Sequence, residues 1–211
     1  MCEATTTTSQ GEAVTAIGIL ALCALSIVVG SLGYLHLAPT GLSPVRNAVS
    51  QYGITTYRDG YRVATLAFGA AGLFLAVGVD QRLGVVVAVT ILLLVFALSR
   101  AAISWYPMDA PGAEPTETGR LHGLLAVVAF GGISLAALYL GRVLARRREW
   151  HALSGVSSVL GWLMVATLLA MALARSSPAV RDRFGLIERA FYAFAIAWSV
   201  IFATACALNV R

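Results

Sequence analysis

The sequence predicts an all-α, polytopic integral membrane protein with six transmembrane helices in one bundle. Three observations carry this. Of 211 residues, 59% are hydrophobic and only 12% charged, which excludes an ordinary soluble domain. Six stretches approach the ~20 apolar residues that a helix needs to cross a bilayer. The charged residues gather between those stretches and at their ends. In hydrocarbon each backbone N–H and C=O must be paired within its own segment, so the stretches are helices.

Residues 1–12 are polar, with a threonine run from Thr5 to Thr8, and are expected to be a disordered tail. The six-helix domain takes residues 13–211. No arginine precedes the first apolar run, and that run exceeds a signal-peptide core, so it reads as an uncleaved span. The expected spans are Val14–Ala38, Tyr61–Val79, Leu83–Trp105, Leu121–Leu140, Ala152–Ala174 and Leu186–Leu208. Asp80, Gln81 and Arg82 are read as a tight turn that makes spans two and three antiparallel neighbours. The link between spans four and five is a cluster, Arg142, Arg146, Arg147, Arg148 and Glu149. The remaining links are longer: Pro39–Gly60, Tyr106–Arg120 and Arg175–Gly185. Six spans put these long loops on one side, and the termini and short loops on the other.

The compact arginine cluster places the termini in the cytoplasm, in the plasma (inner) membrane of the cell. A raw count leans the other way, since nine arginines border the long loops and six the short ones. Several long-loop arginines adjoin an acid, however: Arg58 with Asp59, Arg181 with Asp182, Arg189 with Glu188. That reads as pairing within a site. The net charge of +5 does not indicate nucleic acid, because the arginines flank apolar runs, as headgroup contacts do. Gly69, Gly72, Gly131 and Gly132 are expected to allow close helix packing. Cys2, Cys23 and Cys206 have no metal-ligand spacing, and the last two read as small buried hydrophobes.

The polar residues converge on Ser99–Gly123. Arg100 precedes Trp105 by five residues, roughly 7 Å inside the span end at 1.5 Å per residue. A charge at that depth needs a partner or a wet cavity; the alternative is snorkelling to the headgroups. Asp109 or Glu188 is the expected partner, with His122 lining the same pocket. Arg46, Arg62, Arg100 and Arg189 together can grip a phosphate or carboxylate with forked donors. Asp109, His122 and Glu188 are the candidate acid and base groups if the site is catalytic. Glu188 alternatively suits a helix N-terminus. His36 and His122 share the long-loop side, but no histidine pair or nearby carboxylate has ligand spacing, so neither metal nor other cofactor is expected. No nucleophile elbow surrounds Ser50.

The loop Pro44-Val45-Arg46-Asn47-Ala48-Val49-Ser50-Gln51-Tyr52-Gly53 resembles the family known only as domain of unknown function 998. Pro107-Met108-Asp109, Thr118 to His122, and Gly185 to Arg189 look like polar positions of that family too. The resemblance implies a six-span bacterial or archaeal membrane protein of no established activity. It marks these positions, Ser50 and Tyr52 among them, as site positions without roles. The leading expectation is therefore a site that binds membrane lipid by its headgroup, or a small anion, or an enzyme acting on lipid. The rivals are an accessory subunit with a protein partner in a larger membrane complex, and a small transporter. Spans two, four, five and six lack charges at their centres, which weighs against proton-coupled transport.

Overall fold

Helix ends in this chain follow from local backbone chemistry. The computed structural model describes residues 2–84, 86–174 and 176–208. Among them are α1 (Cys2–Leu37), α2 (Arg58–Leu83), α3 (Val87–Ala102), α4 (Glu117–Leu144), α5 (His151–Leu173), the single turn α6 (Pro178–Arg181) and α7 (Phe184–Ala207). Six of these are long and apolar enough to cross a membrane, as in a multi-pass membrane protein, and no strand occurs among the described residues. α2 ends where Gly84 takes φ 75°, a left-handed conformation that favours glycine. Asp80, Gln81 and Arg82 therefore belong to the helix and not to the turn, and Asp80 accepts a hydrogen bond from Thr90 of α3 at 3.3 Å. α1 is helical from Cys2, through the polar stretch read as a disordered tail, and its apolar span begins at Gly11. Met1 and Arg175, expected in that tail and at the start of the last long loop, lie outside the described residues.

The spans close into a ring in which α1 packs on α2, α2 on α3, α3 on α4, α4 on α5, α5 on α7, and α7 on α1. Lipid is as apolar as the core, so close packing and interhelical hydrogen bonds hold such a bundle. A Cβ on Gly69 would lie 2.8 Å from the Ala97 carbonyl, so α2 and α3 approach there as only glycine permits. Gly72 and Gly132 likewise pack against α3, at Phe96 and the Leu92 carbonyl, whereas Gly131 meets nothing within 4 Å. Ser157 donates to the Ala137 carbonyl at 2.7 Å and accepts from Trp198 Nε1 at 2.9 Å, tying α4, α5 and α7. Cys206 is buried as expected, but Cys23 faces the bundle exterior.

Candidate functional site

On the long-loop side, the first loop is fastened to the start of α7. Leu186 N–H donates to the Val45 carbonyl at 3.0 Å. A Cβ on Gly185 would meet the carbonyl oxygens of Asn47 and Pro44, so only glycine lets the loop sit this close. Arg189 then engages all three of its guanidinium nitrogens with the protein. Its Nε donates to His36 Nε2 at 2.6 Å, Nη1 to the carbonyls of Asn47 (2.8 Å) and Gly185 (3.0 Å), and Nη2 to the Tyr52 hydroxyl at 3.2 Å. His36 Nδ1 donates to the Leu32 carbonyl at 2.6 Å, which leaves neither ring nitrogen free for a metal. Arg189, Tyr52 and His36 thus form a clamp that shapes the loop. Arg46 is exposed and lines neither of the two cavities described below.

Arg100 is 2% exposed and does not reach the headgroups. Its guanidinium carbon lies 5.4 Å from the ring centre of Tyr192 and 5.9 Å from those of Phe68 and Phe130. The electron-rich ring faces attract the cation, and more strongly in a dry interior than in water. The hydroxyl groups of Tyr192 and Tyr61 are hydrogen-bond partners of the guanidinium, and the Glu188 carboxylate adds a favourable charge interaction. The expected ion pair is not formed; each candidate carboxylate has its hydrogen bond elsewhere, and Glu188 acts on Arg100 only at longer range. Glu188 Oε2 accepts from the Val49 N–H at 2.6 Å, holding the 3₁₀ turn Val49–Ile54 against α7. Asp109 accepts from the Thr116 hydroxyl at 2.6 Å and the Thr116 N–H at 3.1 Å. The buried Nε of Arg100 has no hydrogen-bond partner.

Thr116 is the N-cap of α4, its hydroxyl accepting from Gly119 N–H at 3.0 Å. Asp109 supports that cap from the preceding loop. The Thr116 side-chain hydrogen bond, then its backbone one, holds the Asp109 carboxyl below the ordinary carboxylate range. Asp109 lines neither of the two cavities described next, so it is a capping residue. One turn into α4, His122 Nδ1 donates to the Tyr106 carbonyl at 2.7 Å. The carbonyl can only accept, which fixes the proton on Nδ1 and leaves the Nε2 lone pair available in the neutral ring.

Two cavities meet at this point. The first, of about 310 Å³, has a mixed lining. Arg58, Asp59, Tyr61 and Arg62 of α2, Ser104 and Trp105 of the 3₁₀ turn Ile103–Trp105, Ser50 and His122 give it its polar groups, and Ile103, Pro107 and Met108 are apolar. We refer to it as the polar cavity for those groups. Arg62 lies over the Trp105 ring with its guanidinium carbon 5.1 Å from the centre, which steadies the fork at the rim. The second is a groove of about 640 Å³ between α4 and α5, closed at one end by α6 and the start of α7. Ala126, Val127, Phe130, Leu168 and Met171 make it apolar, and Ser50, His122, Arg181 and Glu188 make its long-loop end polar. Ser50 and His122 line both. The Ser50 hydroxyl donates to Met108 Sδ at 3.1 Å, a weak acceptor that leaves its lone pairs free.

The structure brings Ser50, Arg62, His122 and Glu188 to cavity walls, buries Arg100, and engages Asp109, Tyr52 and Arg189 in hydrogen bonds within the protein. Sequence reasoning missed Tyr61 and Tyr192 around Arg100. Tyr192 follows Glu188 by one helical turn, which was a readable signal. Arg58 and Asp59 were read only as a local pair, and they share the polar cavity. Among the described residues no group of His, Cys, Asp and Glu has the arrangement of a metal site.

The model of a family described as "Protein of unknown function (DUF998)" matches residues 14–205, and the chain belongs to that family. No curated protein and no solved structure matches it.

Proposed function

We propose that this protein binds the phosphate-bearing headgroup of a membrane lipid, or a small anion of the same chemistry, in the polar cavity. The observation that carries this is the convergence of two guanidinium groups, Arg58 and Arg62, with Ser50, Ser104 and His122 around about 310 Å³. That volume falls at the lower end of ordinary ligand sites, roughly 300–1,000 Å³. Arginine forks suit phosphate oxygens, and Trp105 holds one fork in place. Asp59 offsets one arginine and leaves one net positive charge, which matches a phosphodiester. His122 Nε2 accepts from a headgroup hydroxyl when the ring is neutral. With both termini in the cytoplasm, this cavity opens on the outer face.

Glycerol 3-phosphate titrated into the purified protein in detergent tests the reading. Binding should weaken with salt and fall at least tenfold in Arg58→Gln/Arg62→Gln. Phosphatidylglycerol vesicles that compete for the site favour the lipid, and competition by inorganic phosphate alone favours the free anion. No binding by the unaltered protein, or binding indifferent to the double substitution, sinks it.

A further inference from the structure

The polar cavity and the α4–α5 groove share Ser50 and His122, so their contents are neighbours. The groove is graded along its length. Its long-loop end has Glu188, Arg181 and His122, and the rest is apolar side chain. The helices that form it are tied at their other ends, where Ser154 donates to the Gly141 carbonyl at 3.0 Å and Gly161 packs on Leu138. Val127, Gly123 and Ala172 on its walls are exposed at the bundle surface, so it opens sideways toward the bilayer.

We infer that this groove takes one hydrocarbon chain of the phospholipid whose phosphate occupies the polar cavity, with the glycerol ester region at Ser50 and His122. This rests on the headgroup reading above and adds the ligand class: a glycerophospholipid held by head and tail, not by charge alone. The gradation of the walls matches such a molecule, polar at the membrane surface and apolar below. Groove size argues against a partner helix. A single helical turn about 10 Å across and 5.4 Å high sweeps roughly 400 Å³. A groove of about 640 Å³ would hold fewer than two turns, whereas a chain is thin enough to lie along it. Glu188 adds a specificity element, since its Oε2 is taken by Val49 and its carboxylate still borders the groove. A hydroxyl on the glycerol or headgroup is the complementary donor.

The test uses phosphatidylglycerol with a diazirine in one acyl chain, with the full chain reconstituted in nanodiscs and the adducts mapped by mass spectrometry. Adducts should concentrate on 126–130 and 168–172 and be displaced by unlabelled phosphatidylglycerol. Gly123→Leu fills the groove from α4; a Cβ there meets nothing within 4 Å, so the fold accepts it. Ala172→Trp fills it from the opposite wall. Each should cut labelling at least fivefold and leave glycerol 3-phosphate binding within twofold. Adducts spread over the outward faces of all spans, or labelling that survives both substitutions, overturn the inference while the headgroup reading stands. Saturable groove labelling without glycerol 3-phosphate binding supports the groove and overturns the headgroup reading.

Discussion

Replacing Arg100 by Met should destabilise the protein, and the size of the effect follows from what surrounds it. The side chain is buried, with its guanidinium carbon 5.4–5.9 Å from three ring centres. A desolvated cation–π contact contributes about 2 kcal/mol. Three rings share one cation, so their sum is on the order of 3–4 kcal/mol and not three times the pair value. Against this stands desolvation. Exchanging a whole buried ionic group for apolar side chains is often neutral, or stabilising by about 1–4 kcal/mol. Arg100→Met is not such an exchange. It removes the cation and leaves the Glu188 carboxylate and the Tyr61 and Tyr192 hydroxyls that it served. Removing one member of a buried ion pair costs about 3–5 kcal/mol, and since Glu188 is near Arg100 but not paired with it, the low end of that range applies.

A net loss of about 3–4 kcal/mol is therefore expected, at roughly 2–4 °C per kcal/mol a fall of about 10 °C in melting temperature. Thermal unfolding in detergent, followed by tryptophan fluorescence, measures it. Arg100→Met with Glu188→Gln should recover part of the loss, because the stranded carboxylate is gone. Arg100→Lys should recover less than half, since a compact ammonium cannot stack on the rings. An unchanged or higher melting temperature for Arg100→Met would refute the reasoning: the cage would then be packing around a charge that contributes nothing.

Gly185→Ala puts a methyl group against the Asn47 and Pro44 carbonyls, so it should destabilise by about 1–3 kcal/mol although Ala is the better helix former; a raised melting temperature would show that the loop is not docked there. Asp109 is held below its ordinary pKa, so its support of the Thr116 cap is fully present above the unfolded carboxyl value and is lost as pH falls through the folded one. Amide-exchange protection factors in the first turn of α4, measured against the intrinsic rate at each pH, should fall on acidification, and Asp109→Asn should flatten that dependence. A reporter active only outside the cytoplasm should be on when fused after Ala113 and off when fused after Arg147; the reverse pattern would move the site to the cytoplasmic face.

The spans were legible because crossing hydrocarbon demands a length of apolar sequence that little else needs. Their ends were less so. Asp80–Arg82 reads as a turn by charge, but Thr90 satisfies Asp80 and Gly84 alone has the backbone freedom to stop the helix. The site was legible as residue types and not as roles. A carboxylate or arginine at a polar boundary looks the same in sequence whether it lines a cavity, as Arg62 does, or supports a helix cap, as Asp109 does. Arg100 is buried, yet its nearest partners are the ring faces and hydroxyls of aromatic residues, and aromatics in an apolar run give no warning of a cation nearby.

The hydrogen-bond capacity left over at each polar position separates scaffold from site. The segments that carry the family resemblance are two contacts: Pro44–Gly53 against Gly185–Arg189, and Pro107–Asp109 against Thr118–His122. Within them, Arg189 donates from all three guanidinium nitrogens to the protein, and Asp109 takes both Thr116 donors. Asn47 is equally occupied, accepting from Ser43 N–H at 2.7 Å and donating to Gln51 Oε1 at 2.6 Å. Groups so engaged have little left for a ligand, and their polarity is explained by loop docking. His122 and Ser50 differ. Each has one atom used, His122 Nδ1 on a carbonyl and the Ser50 hydroxyl on a thioether, and each retains acceptor capacity where two cavities join. A histidine buried only to hold a loop would not need to border both. The junction of the two cavities is thus where Ser50 and His122 keep unspent hydrogen-bond capacity, and under the proposed reading a bound lipid would be recognised there.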